Sequence, residues 1–169
     1  MISKGNGVPV IRPVTPADAP ALCDIYNYYV QNTVVTFEEH PVPSAEMERR
    51  IRVIGATYPW LIFQDETKIL GYAYANRWKE RSGYRFSAES TVYCRNDSTS
   101  KGIGTALYSR LMAELRARGV HTVFGGIALP NDASCALHEK LGFSKVAHLR
   151  EVGFKFQRWV DVGYWQLLL

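Results

Sequence analysis

The stretch Ser100-Lys101-Gly102-Ile103-Gly104-Thr105-Ala106-Leu107-Tyr108 carries the clearest chemical signal in the chain. It follows a strand-like segment, Tyr84 to Cys94, and opens a helical pattern that stops near Gly119. Two glycines let the backbone approach a ligand with no Cβ in the way. The N–H groups at a helix start lack intrahelical partners and sit at the positive end of the helix dipole. That combination receives a phosphate or pyrophosphate. Two titratable side chains flank the stretch in sequence. Glu89 lies on the strand that runs into it, and His138 lies in a later helical segment. A third group is basic: Lys79, Arg81 and Arg85, with Tyr84 among them, suits an anionic ligand.

The elements that must position these residues follow from periodicity. Val8 to Val14 reads as a short strand. Thr15-Pro16-Ala17-Asp18 reads as a capped helix start, with the helix running to about Gln31. Residues 32–43 read as a loop and Ser44 to Ala56 as a second helix. Trp60 to Phe63, Ile69 to Trp78 and Tyr84 to Cys94 read as a three-strand meander. In the last of these, alternation puts Tyr84, Phe86, Ala88, Ser90 and Val92 on one face, with Arg85, Ser87, Glu89, Thr91 and Tyr93 on the other. Lys101 to Arg118 is a long helix with the apolar row Leu107, Leu111 and Leu115. Thr122 to Leu129 is a strand, Asn131 to Leu141 a helix and Phe143 to Leu149 a strand. Gly153 to Gln157 is a turn, and Val160 to Leu167 closes the series. The order predicts an α/β fold with a mixed sheet.

The bulk properties narrow the partners. With 169 residues one domain is expected, preceded by an extension over residues 1–7. A net charge of +4, with Lys and Arg scattered among Asp and Glu, does not argue for nucleic acid. The three cysteines, Cys23, Cys94 and Cys135, form no CxxC or Cys/His cluster, so neither a disulfide framework nor a metal site is expected. No h-region and no spanning apolar run is present, so a reduced, cytoplasmic setting without membrane contact is expected.

Three glycine-loop readings compete. A dinucleotide loop needs a third small residue, and Gly102-x-Gly104 is followed by Thr105, Ala106 and Leu107. A G-x-x-x-x-G-K-[ST] loop is absent from the sequence. The third reading is a coenzyme A pyrophosphate loop, and Asn131 through Phe143 resembles the second signature of the GCN5-related N-acetyltransferases. The resemblance narrows to the phosphinothricin acetyltransferase subfamily. It rests on Thr36-Phe37-Glu38, Tyr58-Pro59-Trp60-Leu61, Ala88 through Tyr93, Leu129-Pro130-Asn131-Asp132, and Gly153-Phe154-Lys155 through Trp165. Thr99 and Ser100 depart from that pattern, standing where the family usually has Arg or Gln and Gly.

The resemblance implies a central mixed, mostly antiparallel sheet flanked by helices, acetyl-CoA as co-substrate, no metal, and a homodimer. It implies acetyl transfer to the α-amine of a small anionic amino acid of the phosphinothricin, methionine sulfone or methionine sulfoximine type. The chemistry needs a base, because an ammonium has no lone pair and an α-amine has a pKa of about 8. It also needs donors for the thioester oxygen as that oxygen gains charge. Glu89 is the expected base, directly or through water, and His138 a proton donor to sulfur or an orienting group. Val92, Tyr93 and Cys94 would grip the acetyl group and pantetheine. Ser100, Lys101, Gly102, Ile103, Gly104 and Thr105 would cradle the pyrophosphate, and Asn131 would bond the pantetheine. Phe37, Glu38, Arg81, Tyr84 and Arg85 would receive the acceptor, with Lys79 the basic residue expected to be inert. Two alternatives stand beside this reading: an inactive acyl-CoA-binding sensor, and a protein or aminoglycoside acetyltransferase.

Overall fold

The computed structural model describes residues 8–98 and 102–169. The expectations for residues 1–7 and for Thr99, Ser100 and Lys101 lie outside the described residues. Seven strands form one sheet: β1 (Val10–Pro13), β2 (Trp60–Asp65), β3 (Lys68–Arg77), β4 (Ser87–Cys94), β5 (Thr122–Leu129), β6 (Ser144–Lys155) and β7 (Arg158–Leu168). Four helices flank it: α1 (Ala19–Asn32), α2 (Ser44–Gly55), α3 (Ile103–Ala117) and α4 (Asp132–Lys140). The spatial order is β1-β2-β3-β4-β5-β7-β6. Every neighbouring pair is antiparallel except β4 and β5. The expected mixed, mostly antiparallel sheet is therefore what forms.

The sheet is covered on both faces because alternate residues of its strands are apolar. On one face Trp60, Ile62 and Tyr72 pack under Leu22, Ile25 and Val30 of α1 and under Met47 and Ile51 of α2. On the other, Leu61, Ala73, Ala88 and Val123 receive the row Leu107, Leu111 and Leu115 of α3, which is wholly buried.

Two expected elements differ. β4 begins at Ser87 rather than Tyr84, because Ser82–Tyr84 closes into a short 3-10 turn. The amides of Tyr84 and Arg85 bond back to the carbonyls of Arg81 and Ser82, which removes them from any ladder. The side-chain alternation expected for Tyr84, Arg85 and Phe86 accordingly does not hold. The other difference is Gly153–Gln157, which is not a turn. β6 runs to Lys155, and Lys155 pairs with Arg158. Only Phe156 and Gln157 make the reversal, both with left-handed backbone, φ 51° and 59°. Two such residues match the twist of a tight hairpin. A register shift between Leu149 and Gly153 absorbs the extra residues that made this stretch look broken.

Leu111→Ala should lower the unfolding free energy by about 2–5 kcal/mol, since it opens a cavity between α3 and the sheet. Urea denaturation followed by circular dichroism measures it; a midpoint equal to wild type would contradict this packing.

Candidate active site

β4 and β5 pair at only three positions, Ser87↔Thr122, Ala88↔Val123 and Glu89↔Phe124. Both strands continue, to Cys94 and Leu129, so they part after Glu89. On its other edge β4 stays bonded to β3. The amide of Arg95 bonds the carbonyl of Leu70, and antiparallel partners exchange both bonds at every second residue. Tyr93 and Thr91 therefore face β3 with their backbone groups. Val92 and Cys94 turn theirs into the gap. The carbonyl of Cys94 confirms the direction, because it accepts the Tyr29 hydroxyl of α1 at 2.6 Å. Tyr93, expected among the gripping residues, has its backbone turned away and its ring packed among Tyr26, Tyr29 and Tyr72. It contributes a wall.

The gap opens into a cavity of about 510 Å³ lined by Tyr29, Val92, Cys94, Gly102, Ile103, Gly104, Thr105, Asn131 and Leu137, among others. Gly102 caps α3 with left-handed φ of 77°, a conformation that favours glycine. Its carbonyl takes the first helical bond, from Ala106. The amides of Ile103, Gly104 and Thr105 thus have no intrahelical acceptor and sit at the helix's positive end. A Cβ on Gly104 would come within 3.2 Å of Leu137, so this glycine also lets α4 approach α3. Asn131 is the N-cap of α4 and spends its side-chain oxygen on the Ser134 amide at 3.1 Å. Its amide nitrogen remains available as a donor. The donors around this cavity, three helix-start amides, two strand amides and one carboxamide, fit a phosphate-bearing thioester such as acetyl-CoA.

A narrow chamber of about 90 Å³ continues inward past Val92, Ser90, Tyr108, Ser134 and His138. His138 is 2% exposed. Its Nδ1 lies 2.8 Å from the Ser134 carbonyl, which can only accept, so Nδ1 carries the proton. Nε2 lies 3.4 Å from the Tyr108 hydroxyl, a long contact in which the phenol is the donor. Burial holds the imidazole pKa below its ordinary value, against the pull of the Ser134 carbonyl. A neutral imidazole whose one N–H is already spent suits an orienting group. Burial raises the Tyr108 phenol pKa as well, with Ser90 opposing through a hydrogen bond. Tyr108 stands next to the apolar row of α3 and carries no sequence signal of its own.

Beyond the chamber lies a cavity of about 310 Å³ lined by Val35, Phe37, Glu89, Gly126, Ala128, Leu149, Val152, Val162 and Tyr164. Val35 lines all three spaces, and Gly126 and Ala128 line the inner two. They form one channel from the α3 amides to Glu89. A Cβ on Gly126 would approach Glu89 Oε1 to 3.1 Å and Tyr164 Cε1 to 3.2 Å, so the bare backbone leaves room for the carboxylate. Burial raises the Glu89 pKa above the ordinary carboxylate value; Lys79's positive charge works in the opposite direction.

The remaining acceptor candidates separate. Glu38 does not line this cavity. Its carboxylate accepts Arg50 at 2.6 Å and the Tyr26 hydroxyl at 3.0 Å, so it anchors the Thr36–Glu38 loop. Arg81, Tyr84 and Arg85 are exposed on the 3-10 connection. The Arg85 guanidinium lies over the Phe86 ring and donates to the Ser82 carbonyl. Lys79, expected to be inert, is exposed, and its positive charge favours the ionised form of Glu89. Trp78 beside it stacks on Phe124 and meets Tyr164 edge-on. Val35, Gly126, Leu149, Val152 and Tyr164 escaped the sequence reading; only the Gly125-Gly126 pair inside a strand was a usable sign of close approach. Among the described residues no cluster of three or more His, Cys, Asp or Glu is placed to hold a metal ion.

Residues 11–163 match the family model described as acetyltransferase (GNAT) domain. The chain is 40% identical over 156 residues to a phosphinothricin N-acetyltransferase of Streptomyces viridochromogenes, covering 92% of this chain and 85% of that one. It is 37% identical over 161 residues to an L-methionine sulfoximine/L-methionine sulfone acetyltransferase of Pseudomonas paraeruginosa, covering 94% of each. The solved structure of a phosphinothricin acetyltransferase from Sinorhizobium meliloti, in complex with acetyl-CoA, superimposes with a TM-score of 0.91 at 36% identity, covering 95% of this chain and 88% of that one. A channel lined by helix-start and strand amides, with a carboxylate at its inner end, is thus found in a chain that belongs to the GNAT family and is an acetyl-CoA-dependent N-acetyltransferase.

Proposed function

We propose that the chain acetylates the α-amine of a small amino acid of the phosphinothricin, methionine sulfone or methionine sulfoximine type, with Glu89 as the base. The observation that carries this is the place of Glu89. It is the last residue of β4 paired to β5, and its carboxylate faces the inner cavity where the channel ends. The names of the similar enzymes support the acceptor class.

Acetyl-CoA brings an acyl group on a thiolate that leaves readily. The amides of Ile103, Gly104 and Thr105 receive its pyrophosphate, and Asn131 donates to its pantetheine. The Val92 and Cys94 amides lie along the acyl end. Glu89 takes the proton from the acceptor's ammonium, directly or through one water, which frees the lone pair for attack. Its raised pKa makes it a stronger base than an exposed carboxylate. His138 holds Tyr108 in the chamber, where the Tyr108 hydroxyl is offered as a hydrogen-bond donor to the leaving thiolate. The apolar lining, Phe37, Leu149 and Val152, takes the acceptor's side chain, and Lys79 is the first candidate for its carboxylate.

A second copy of the chain covers the β6–β7 edge in this reading. Val146, Leu149, Val152, Phe154 and Trp159 are exposed on that hairpin, Trp159 by 62%. Free thiols at Cys23, Cys94 and Cys135 suit a reducing, cytoplasmic compartment. No helix among the described residues is long and apolar enough to cross a membrane. Light scattering on the eluting protein should give twice 19.1 kDa; a monomeric mass at micromolar concentration would remove the dimer.

Glu89→Gln should lower kcat by about 100-fold at neutral pH while leaving coenzyme A binding nearly unchanged. Its stability should move the other way. A carboxyl with a raised folded pKa binds more protons folded than unfolded, so the native state loses stability as pH rises through that pKa. Glu89→Gln removes this penalty, and its melting temperature at neutral pH should match or exceed wild type. Thiol release from acetyl-CoA and thermal denaturation measure the two effects. Full activity of the variant would end the assignment.

Free amino acids should be acetylated better than their methyl esters, because a charge-assisted bond to the carboxylate contributes about 1.5–3 kcal/mol. Lys79→Ala should raise KM for the free acid by about tenfold or more and leave the ester little changed. A panel that prefers esters or polyamines would move the acceptor to another class.

A further inference from the structure

The Thr36-Phe37-Glu38 loop sets Phe37 into the wall of the inner cavity and has no regular secondary structure of its own. On one side it is tied to the helices. Tyr26 of α1 reaches Thr36 Oγ1 at 2.7 Å and Glu38 Oε1 at 3.0 Å, and Arg50 of α2 donates to Glu38. On the other side the tie is a buried lysine. Lys155, near the end of β6, is 2% exposed, and its Nζ donates to the Thr36 carbonyl at 2.7 Å. Hiding an ammonium from water is costly unless it makes hydrogen bonds, so this charge is held for its partner. Two residues earlier on β6 stands Gly153. A Cβ built there would fall inside the van der Waals envelope of the Phe37 ring tip. The ring that walls the acceptor cavity therefore rests in the space that any other residue at 153 would fill.

We propose that Gly153 and Lys155 are specificity-determining positions: together they place the Phe37 ring and so set the length of acceptor side chain the cavity takes. Neither touches the reacting atoms. Lys155 fixes the backbone before Phe37, and Gly153 fixes the depth to which the ring sinks. Both lie on β6, the strand that also supplies Leu149 and Val152 to the cavity. A substitution on β6 thus reshapes the pocket on two sides without altering Glu89 or the α3 amides.

The proposal rests on the acetyl-transfer reading above, and the test separates the two. Steady-state constants are measured for methionine sulfone, alanine and acetyl-CoA with wild type, Gly153→Ala, Lys155→Met and Phe37→Ala, and with each β6 change combined with Phe37→Ala. Gly153→Ala and Lys155→Met should each raise KM for methionine sulfone by about tenfold. KM for alanine should change less, and KM for acetyl-CoA should stay within about twofold. In the Phe37→Ala background Gly153→Ala should have no further effect, because it acts through that ring. An unchanged methionine sulfone KM in the folded Gly153→Ala variant, or an undiminished effect of it without Phe37, would overturn the proposal. If Lys155→Met does not fold, the Gly153→Ala cycle decides alone. If wild type acetylates no amino acid, the acetyl-transfer reading falls by itself, and hydrogen exchange decides the clamp. Amides of residues 35–38 should exchange faster in Lys155→Met than in wild type, and equal rates overturn it.

Discussion

The parting of β4 from β5 is the constraint on which the site depends. A parallel pair inside a sheet normally continues, because each unpaired amide removed from water costs free energy. Here pairing stops after Glu89 and Phe124, and the strands must be kept apart by what fills the wedge. Three features do so. Tyr29 of α1 takes the Cys94 carbonyl. The start of α4 turns across the mouth through the Asn131 cap. The segment after α1 bridges the wedge, with Val34 packed against Ala128 of β5 and Val160 of β7. The backbone donors of Val92 and Cys94 are left facing a cavity, and those of the α3 start face the same one. Most of the donors facing this cavity are main-chain groups, so the side chains around it have little in common chemically.

The wedge also sets the electrostatics of Glu89 apart from those of Glu46. Glu46 is flanked by Arg49 and Arg50, whose hydrogen bonds pull its pKa down to about 2. Glu46 therefore has little tendency to accept a proton, and Glu38 is held in an ion pair with Arg50 that ties down its loop. Glu89 lies instead among Phe37, Gly126, Ala128 and Tyr164, where burial favours the neutral form and Lys79 opposes it. The difference lies in desolvation and pairing, since the side chains are chemically identical. The same desolvation acts on His138 in the opposite chemical sense, keeping it neutral and fixing its tautomer through the helix carbonyl.

The sequence by itself determined the glycine-led helix start, because Gly102 answers a local demand of the backbone, and it determined the burial of Leu107, Leu111 and Leu115, because a helix repeats its face every few residues. Glu89, His138 and Phe37 stood out only through the family resemblance of the motifs around them, and the fold brings them to line adjoining cavities. The depth of the pocket was not legible. Arg81 and Arg85 read as pocket residues because they precede β4, yet a 3-10 turn carries them to the surface. Gly153 read as a turn residue, yet its missing side chain receives a ring 116 positions away along the chain. Tyr108, Gly126 and Tyr164 met the channel only when α3, β5 and β7 came together around it. Periodicity and capping are written within a few residues of each other. The walls of a cavity are contributed by segments far apart in sequence, and only their packing decides which side chains share it.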